Sequence, residues 1–418
     1  MEKDANQQFY GGLDMSYIQQ GTPLFRKISF AFFAAGFNTF AILYCVQPLL
    51  PEFTKAFEIS PATASLALSV TTMVLAASML IFGSLSEVWG RKPIMVMSML
   101  AASVFCILTA FSPNFHFLIV FRLIEGIALA GLPSIAMAYL GEEIEPKSLG
   151  TAMGLYICGN SAGAVSGRIL SGVLSDYFGW HIAIAGIGFI SLAATLVFWN
   201  SLPPSRHFKA RQLEIGNLAK SLIGHLKDPG LVCLFLLGFL LLGTNVALFN
   251  YIAYVLLGKP YSLSQSFVSW IFLIMIFGMF SSVWTGKLVN HYGKQKVLFF
   301  NLLIALIGVC FTLNPLLIMK IMGLGFFIFG FFGGHSIASS WVGQRALHNK
   351  AQASSLYLFL YYTGSSVGGT LGGWFWSGFG WKGVIGMNVG FLAIGFLLWA
   401  CITKITHEPK KVMEVKLN

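Results

Sequence analysis

The chain has 418 residues, of which 56% are hydrophobic and only 10% charged, and its mean hydropathy is +0.76. Water-soluble domains carry roughly 25% charged residues, so a soluble core of this size is excluded. The formal net charge of +11 points to membrane topology and anionic lipid headgroups, with no need of a nucleic acid. Cys45, Cys106, Cys158, Cys233, Cys310 and Cys401 all fall in apolar stretches without metal-ligand spacing and read as packing residues.

In chain order, residues 1 to 24 are polar and Gln-rich and lack the basic start and apolar run of a signal peptide. A mobile cytoplasmic tail over 1–25 is expected. Apolar runs of about 20 residues, enough to cross a bilayer, follow near 26–50, 62–85, 94–112, 115–140, 150–175 and 181–202. A polar stretch over 203–229 reads as a cytoplasmic linker. Six further runs lie near 230–256, 264–287, 297–314, 316–341, 352–377 and 383–404, before a tail over 405–418. The expectation is an all-α membrane protein with twelve transmembrane helices, one six-helix half over 26–202 and a second over 230–404. Placing the amino terminus inside puts 20 of the 26 Lys and Arg residues on the cytoplasmic side, as the positive-inside tendency requires. Both termini are then cytoplasmic.

The halves repeat. Gly83-Ser-Leu-Ser-Glu87-Val-Trp-Gly90-Arg91-Lys92-Pro93 returns 203 positions later as Gly286 to Gln295, with glycines at the same spacing. Leu155, Tyr156, Gly163, Gly167, Gly172, Gly179 and Trp180 return 201 positions on as Leu356, Tyr357, Gly364, Gly368, Gly373, Gly380 and Trp381. Glycines at this turn permit close helix contact and a tight reversal. Spacing, charge pattern and repeat together resemble the loop between the second and third helices of the major facilitator superfamily, with a degraded copy between the eighth and ninth. The family's usual Asp is Glu87 here, and Asn290 in the second copy.

That resemblance implies two pseudo-symmetric halves with a substrate site between them at mid-membrane. It also implies that Gly83, Glu87, Gly90 and Arg91 form a conformational gate. Arg122-Leu-Ile-Glu-Gly126 resembles the Arg-x-x-x-Gly element of proton-coupled members. Gly159, Gly163, Gly167 and Gly172 resemble the antiporter glycine motif, except that Asn160 and Ser161 replace its Gly-Pro. The Gly-Asn-Ser-x-Gly-x-x-Ser-Gly-Arg run, with Gln-Ala-Ser-Ser-Leu-Tyr-Leu-Phe in the eleventh span, is similar to the YnfM-type branch of efflux permeases.

Charges inside a bilayer cost several kcal/mol unless paired or hydrated. Glu125 is the acidic residue well inside a span, and Arg122 is its i−3 neighbour on the same helix face. The pair is either a proton-binding carboxylate tuned by its Arg or a static structural pair. Arg168, in the outer part of the fifth span, suits an anionic substrate group, an outer lock with Asp176, or snorkelling to the surface. His335 lies inside the tenth span and titrates in a range useful for proton transfer, though a packing role fits it equally. Glu125, Arg122 and His335 are therefore the proton-coupling candidates. Since the first, fourth, seventh and tenth helices line the cavity in this superfamily, the resemblance offers Asn38 and Asn245 as cavity residues beside Arg168, Asn160, Tyr357 and Tyr361. Glu142, Glu143 and Glu145 read as capping the loop before the fifth helix.

No phosphate loop, metal cluster or catalytic constellation stands out, so neither an enzyme nor a cofactor is expected; a polytopic membrane enzyme or sensor is the remote rival. The expected function is secondary active transport of a small organic compound by alternating access, as proton-coupled efflux, with proton-coupled uptake as the alternative. Expected partners are the small-molecule substrate, protons and membrane lipid, with no nucleic acid and a monomeric state. The expected location is a bacterial inner membrane.

Overall fold

The computed structural model describes residues 17–208 and 222–407. Most of the expected amino-terminal tail, the middle of the linker and the carboxy-terminal tail beyond 407 lie outside the described residues. The first half consists of α1 (Pro23–Tyr44), a short α2 (Leu50–Ala56), α3 (Pro61–Trp89), α4 (Arg91–Thr109), α5 (Phe115–Leu129), α6 (Gly131–Glu143) and α7 (Pro146–Ser201). The second consists of α8 (Pro229–Leu257), a short α9 (Gln265–Trp270), a 3₁₀ turn at Ile271–Ile274, α10 (Met275–Tyr292), α11 (Lys294–Phe311), α12 (Leu317–Arg345) and α13 (Lys350–His407).

At 56 and 58 residues, α7 and α13 are each long enough for two crossings. Each is broken by a glycine at positive φ, Gly179 at 82° and Gly380 at 60°, where a Cβ would be strained. The turns before α4 and α11 use Gly90 and Gly293 in the same way. All four break points are repeat-related, so the internal repeat is a repeat of helix ends. With α5 and α6 forming one span across Ala130, and α9 running through the 3₁₀ turn into α10, the described residues make twelve spans. Local chemistry sets many starts: Thr22, Ser60, Asn114, Asp228 and Ser264 accept backbone N–H groups of the first turn, and Pro23, Pro61 and Pro229 occupy positions where no N–H is needed.

Each half is sealed by the same glycine ridge. A Cβ on Gly159 or Gly163 would come within 2.2 Å of the α1 backbone at Phe33 or Phe37. In the second half, Gly364 and Gly368 would meet the α8 backbone at Phe239 and Gly243 at 2.0 and 2.4 Å. Backbones approach this closely only where side chains are absent, which is how spans associate without a hydrophobic driving force. Gly83 differs, since a Cβ there would meet nothing within 4 Å. Large apolar side chains such as Phe111, Phe189, Phe379 and Leu397 are exposed on the outside of the bundle, where acyl chains would cover them.

Two expectations are corrected here. Residues 17–22 are not a free tail: Ile18 is buried and forms a parallel bridge with Ile144, its N–H donating to the Glu143 carbonyl and its carbonyl accepting from Glu145 N–H. Of the cysteines, Cys45, Cys106 and Cys233 are buried, but Cys158, Cys310 and Cys401 are exposed on the bundle surface. An apolar window does not reveal which way one side chain faces.

Candidate functional site

A cavity of about 220 Å³ lies between the halves. The first half contributes Tyr44, Asn160 and Arg168, and the second Asn245, His335 and Tyr361. Phe40, Met275, Met279, Phe331 and Phe332 supply much of the apolar wall. Among the described residues no Asp or Glu lines it.

Arg168 projects from the first part of α7 and is 3% exposed. Its Nε donates to Gln47 Oε1 at 2.7 Å and its Nη1 to the Ala164 carbonyl at 2.6 Å. The guanidinium carbon sits 3.8 Å from the Tyr44 ring centroid and 5.1 Å from that of Phe272, a cation–π arrangement that partly offsets desolvation. Among the described residues no carboxylate lies within ion-pairing distance of it. It neither snorkels outward nor reaches Asp176, whose Oδ2 instead accepts from the Ser266 hydroxyl at 2.6 Å and the Ser266 N–H at 3.2 Å.

His335 Nδ1 shares a 2.9 Å hydrogen bond with the Tyr357 hydroxyl, and its ring stacks on Tyr361 with centroids 4.4 Å apart. Tyr357 stands behind the wall, against Gly238. Asn245 is 5% exposed, and its Nδ2 has no hydrogen-bond partner. Asn160 packs its carboxamide against Gly36 of α1 while reaching the cavity.

Asn38 is elsewhere. Its Nδ2 donates to Ser103, Thr195 and the Ser191 carbonyl inside the first half, so it binds α1 to α4 and α7 rather than facing the cavity. The helix on which a polar residue lies was legible; the face was not.

Arg122 and Glu125 also lie away from the cavity, 1% and 0% exposed. They pair with each other, and Glu125 Oε1 accepts from Thr109 Oγ1 at 2.6 Å. Arg122 further donates to the carbonyls of Ala67, Ile42 and Leu43 at 2.9, 3.2 and 3.0 Å. Ile42 and Leu43 are in the last turn of α1, whose carbonyls have no intrahelical partner. Arg122 therefore caps α1 while tying it to α3 and α5.

Hydrogen bonds between the halves gather at one end of the molecule, the Asp176 end. Besides Asp176 with Ser266, Gln47 Nε2 donates to Asn250 Oδ1 at 2.8 Å, Thr54 and Tyr254 share a 2.8 Å bond, and Thr370 Oγ1 donates to Ser69 Oγ at 3.2 Å. Gln47 and Asn250 are 203 residues apart, the offset of the turn repeat, so this pair joins equivalent positions of the two halves. The 203-residue offset between Gln47 and Asn250 was the signal in the sequence that could have singled out this pair.

At the opposite end no ion pair among the described residues joins one half to the other. Arg91 donates to both Glu142 oxygens, at 2.7 and 3.3 Å, and to Ser86 Oγ at 2.6 Å. Glu87 takes part in none of the ion pairs among the described residues. Lys294 to Gln344 is the corresponding contact of the second half. Glu143 accepts from the N–H groups of Arg206 and His207, so two of the acidic cluster hold the Arg91 turn and the start of the linker rather than the start of α7. Asp228 accepts from Arg345 and caps α8. Burial alone would raise its pKa, but the Arg345 hydrogen bond and the Gly230 and Leu231 N–H groups outweigh it and hold the carboxyl below its usual range.

A family model described as Major Facilitator Superfamily matches residues 28–369. "Uncharacterized MFS-type transporter YybF" of Bacillus subtilis is 65% identical over 97% of this chain and 100% of its own. "Inner membrane transport protein YnfM" of Escherichia coli is 44% identical over 94% of both. Among solved structures, a bacterial homologue of the human lysosomal transporter Spinster superposes with a TM-score of 0.77 at 15% identity, covering 92% of this chain and 98% of that one.

Proposed function

Because this chain belongs to the Major Facilitator Superfamily, we propose that it exports a small organic compound across a bacterial inner membrane by proton-coupled alternating access. It is a multi-pass membrane transporter of that family, and relatives named as transporters leave the enzyme alternative without support. The observation that carries the fuller reading is the cavity itself. Both halves wall it, cross-half hydrogen bonds latch one of its ends, and a titratable imidazole stands in its wall. A site reached from one side, with its opposite end tied by a few hydrogen bonds, is what rocking of two halves would alternately expose.

The Arg91 end is assigned to the cytoplasm, because the turns there, the linker and the two terminal segments together carry 20 of the 26 Lys and Arg residues. The Glu142 and Ser86 contacts of Arg91 support a gating role for that turn, worked through Glu142 instead of Glu87. Among the coupling candidates His335 is favoured, since it borders the cavity. Glu125, enclosed by Thr109 and Arg122, is assigned a structural role.

Export is supported by resemblance to the antiporter glycine spacing. Uptake is the second reading, because the same glycine ridge recurs in the second half and therefore serves packing in both.

The test is a pH-dye assay in everted vesicles across a panel of small organic compounds, with His335→Gln and Glu125→Gln variants alongside. Substrate-induced proton release in the parent protein and in Glu125→Gln, but lost in His335→Gln, is the expected result. Release lost in a folded Glu125→Gln and kept in His335→Gln would return coupling to Glu125. Proton movement of the opposite sign would establish uptake.

A further inference from the structure

We infer that the cargo is an organic anion, a carboxylate or similar oxyanion on an apolar, preferably aromatic body, and that Arg168 and Asn245 hold its charged end. This deepens the transport reading above and rests on the cavity being the substrate site.

Two buried arginines with opposite surroundings carry the argument. Arg122 has Glu125 beside it and three carbonyls around it. Arg168 is as deeply buried, yet neither an ion-paired carboxylate among the described residues nor an acidic residue in the cavity wall compensates it. A charge in that setting is costly unless something neutralises it, and the ring of Tyr44 does so only in part. Its hydrogen bonds to Gln47 and Ala164 use fewer than the five N–H groups a guanidinium carries. The missing partner is an anion that arrives from outside the chain.

The second observation is independent. Asn245 borders the same cavity from the other half, is 5% exposed, and leaves its amide nitrogen without a partner. A buried donor left unpaired costs free energy, and an acceptor oxygen in the cavity removes that cost. Arg168 and the unpaired Asn245 Nδ2 on opposite walls, with no acid among the described lining residues, suit an oxyanion and disfavour a cationic drug, while the unpaired Asn160 Oδ1 on the first-half wall accepts one donor elsewhere on the ligand. Phe40, Phe331, Phe332, Met275 and Met279 provide for the remainder of the ligand, where aromatic and thioether contacts reward a flat apolar body.

The geometry also says what binding would do. Arg168 Nε holds Gln47, and Gln47 holds Asn250 across the halves. An anion that draws the guanidinium towards itself competes with Gln47, so filling the site loosens a latch of the Asp176 end.

The test measures equilibrium binding to the purified full chain in lipid nanodiscs by calorimetry, using three aryl probes of similar shape: 2-naphthoate, 2-naphthamide and 2-naphthylmethylammonium. The carboxylate is expected to bind at least about tenfold tighter than the amide, with the ammonium weakest. Arg168→Gln should abolish the preference for carboxylate over amide, Arg168→Lys should keep part of it, and Asn245→Ala should reduce carboxylate affinity about three- to tenfold. Each variant is checked for a parent-like thermal transition, and Asn245→Asp, which adds a negative charge to the wall, serves as a second folded control expected to repel the carboxylate. Equal or tighter binding of the amide or ammonium, no binding of the carboxylate, or a preference that survives Arg168→Gln overturns the proposal. Arg168-dependent carboxylate binding with no proton movement in the vesicle assay would sink proton coupling and leave the anion site standing. Coupled transport of a neutral or cationic compound unaffected by Arg168→Gln would do the reverse.

Discussion

Arg122 and Arg168 are both arginines in transmembrane helices of one half, both nearly inaccessible at 1% and 3% exposure, and their surroundings are opposite. Arg122 is satisfied by its own chain: a carboxylate at i+3, the carbonyls that end α1, and one carbonyl of α3. Arg168 is satisfied in part, by an amide, one carbonyl and two aromatic rings. Burial alone therefore does not mark a functional charge in a membrane protein. The mark is the mismatch between what a buried group can bond and what the fold gives it.

The largest expected effect comes from making the first arginine resemble the second. Arg122→Ala would leave Glu125 and the end of α1 buried without their partner, and should cost about 3–5 kcal/mol, the range for breaking a buried pair. Replacing both residues with Met should recover most of that loss, because no charge is then stranded. Thermal unfolding in detergent checks both; a double variant no more stable than Arg122→Ala would show that the carbonyl contacts matter more than the pair. The reverse substitution sharpens the contrast. Arg168→Met should change stability by only about 1 kcal/mol, on the stabilising side, while carboxylate binding is lost. A strongly destabilised Arg168→Met would make this arginine structural too.

A smaller effect is expected one step along the chain from Arg168. Gln47→Ala removes the bond across the repeat axis, worth about 1 kcal/mol, and should speed amide hydrogen exchange in Leu50–Ala56 relative to the opposite end. Unchanged exchange there would mean that Thr54, Asp176 and the glycine contacts hold this end by themselves.

The smallest effect concerns a third arginine, Arg345, whose partner Asp228 is partly exposed, with 32% of its side chain accessible. Because the folded-state pKa of Asp228 lies below its usual 3.8, the contribution of this pair is fully present above about pH 4. It is lost as pH falls through the depressed value. The protection factor of the amides at the start of α8, that is, the intrinsic exchange rate divided by the observed rate at each pH, should fall in that acidic window and be constant between pH 5 and 8; a change near pH 7 would point to another group.

Much of this was legible in the chain. Apolar run lengths gave the spans, and the positive-φ glycines at 90, 179, 293 and 380 were already visible as repeat glycines, because a glycine requirement at a helix break is local. Pairing of Arg122 with Glu125 followed from their i, i+3 spacing. Partners across the fold did not follow. Glu87 and Arg91 were named together as gate residues, but Arg91 pairs with Glu142, 51 residues away; a lock with Asp176 was one of three readings of Arg168, but Asp176 bonds Ser266 in the other half; Asn38 was offered for the cavity by its helix and lies behind it.

The sequence by itself determined the membrane class, the number of crossings, the duplication and the family, because hydropathy, glycine punctuation and repeat offset depend on residues near one another in the chain. Only the tertiary structure decided which polar side chains share a cavity and which buried charge is left without an acid. Those depend on helix rotation about its axis, and in a span apolar on nearly every face the bilayer leaves that angle to packing against neighbouring helices.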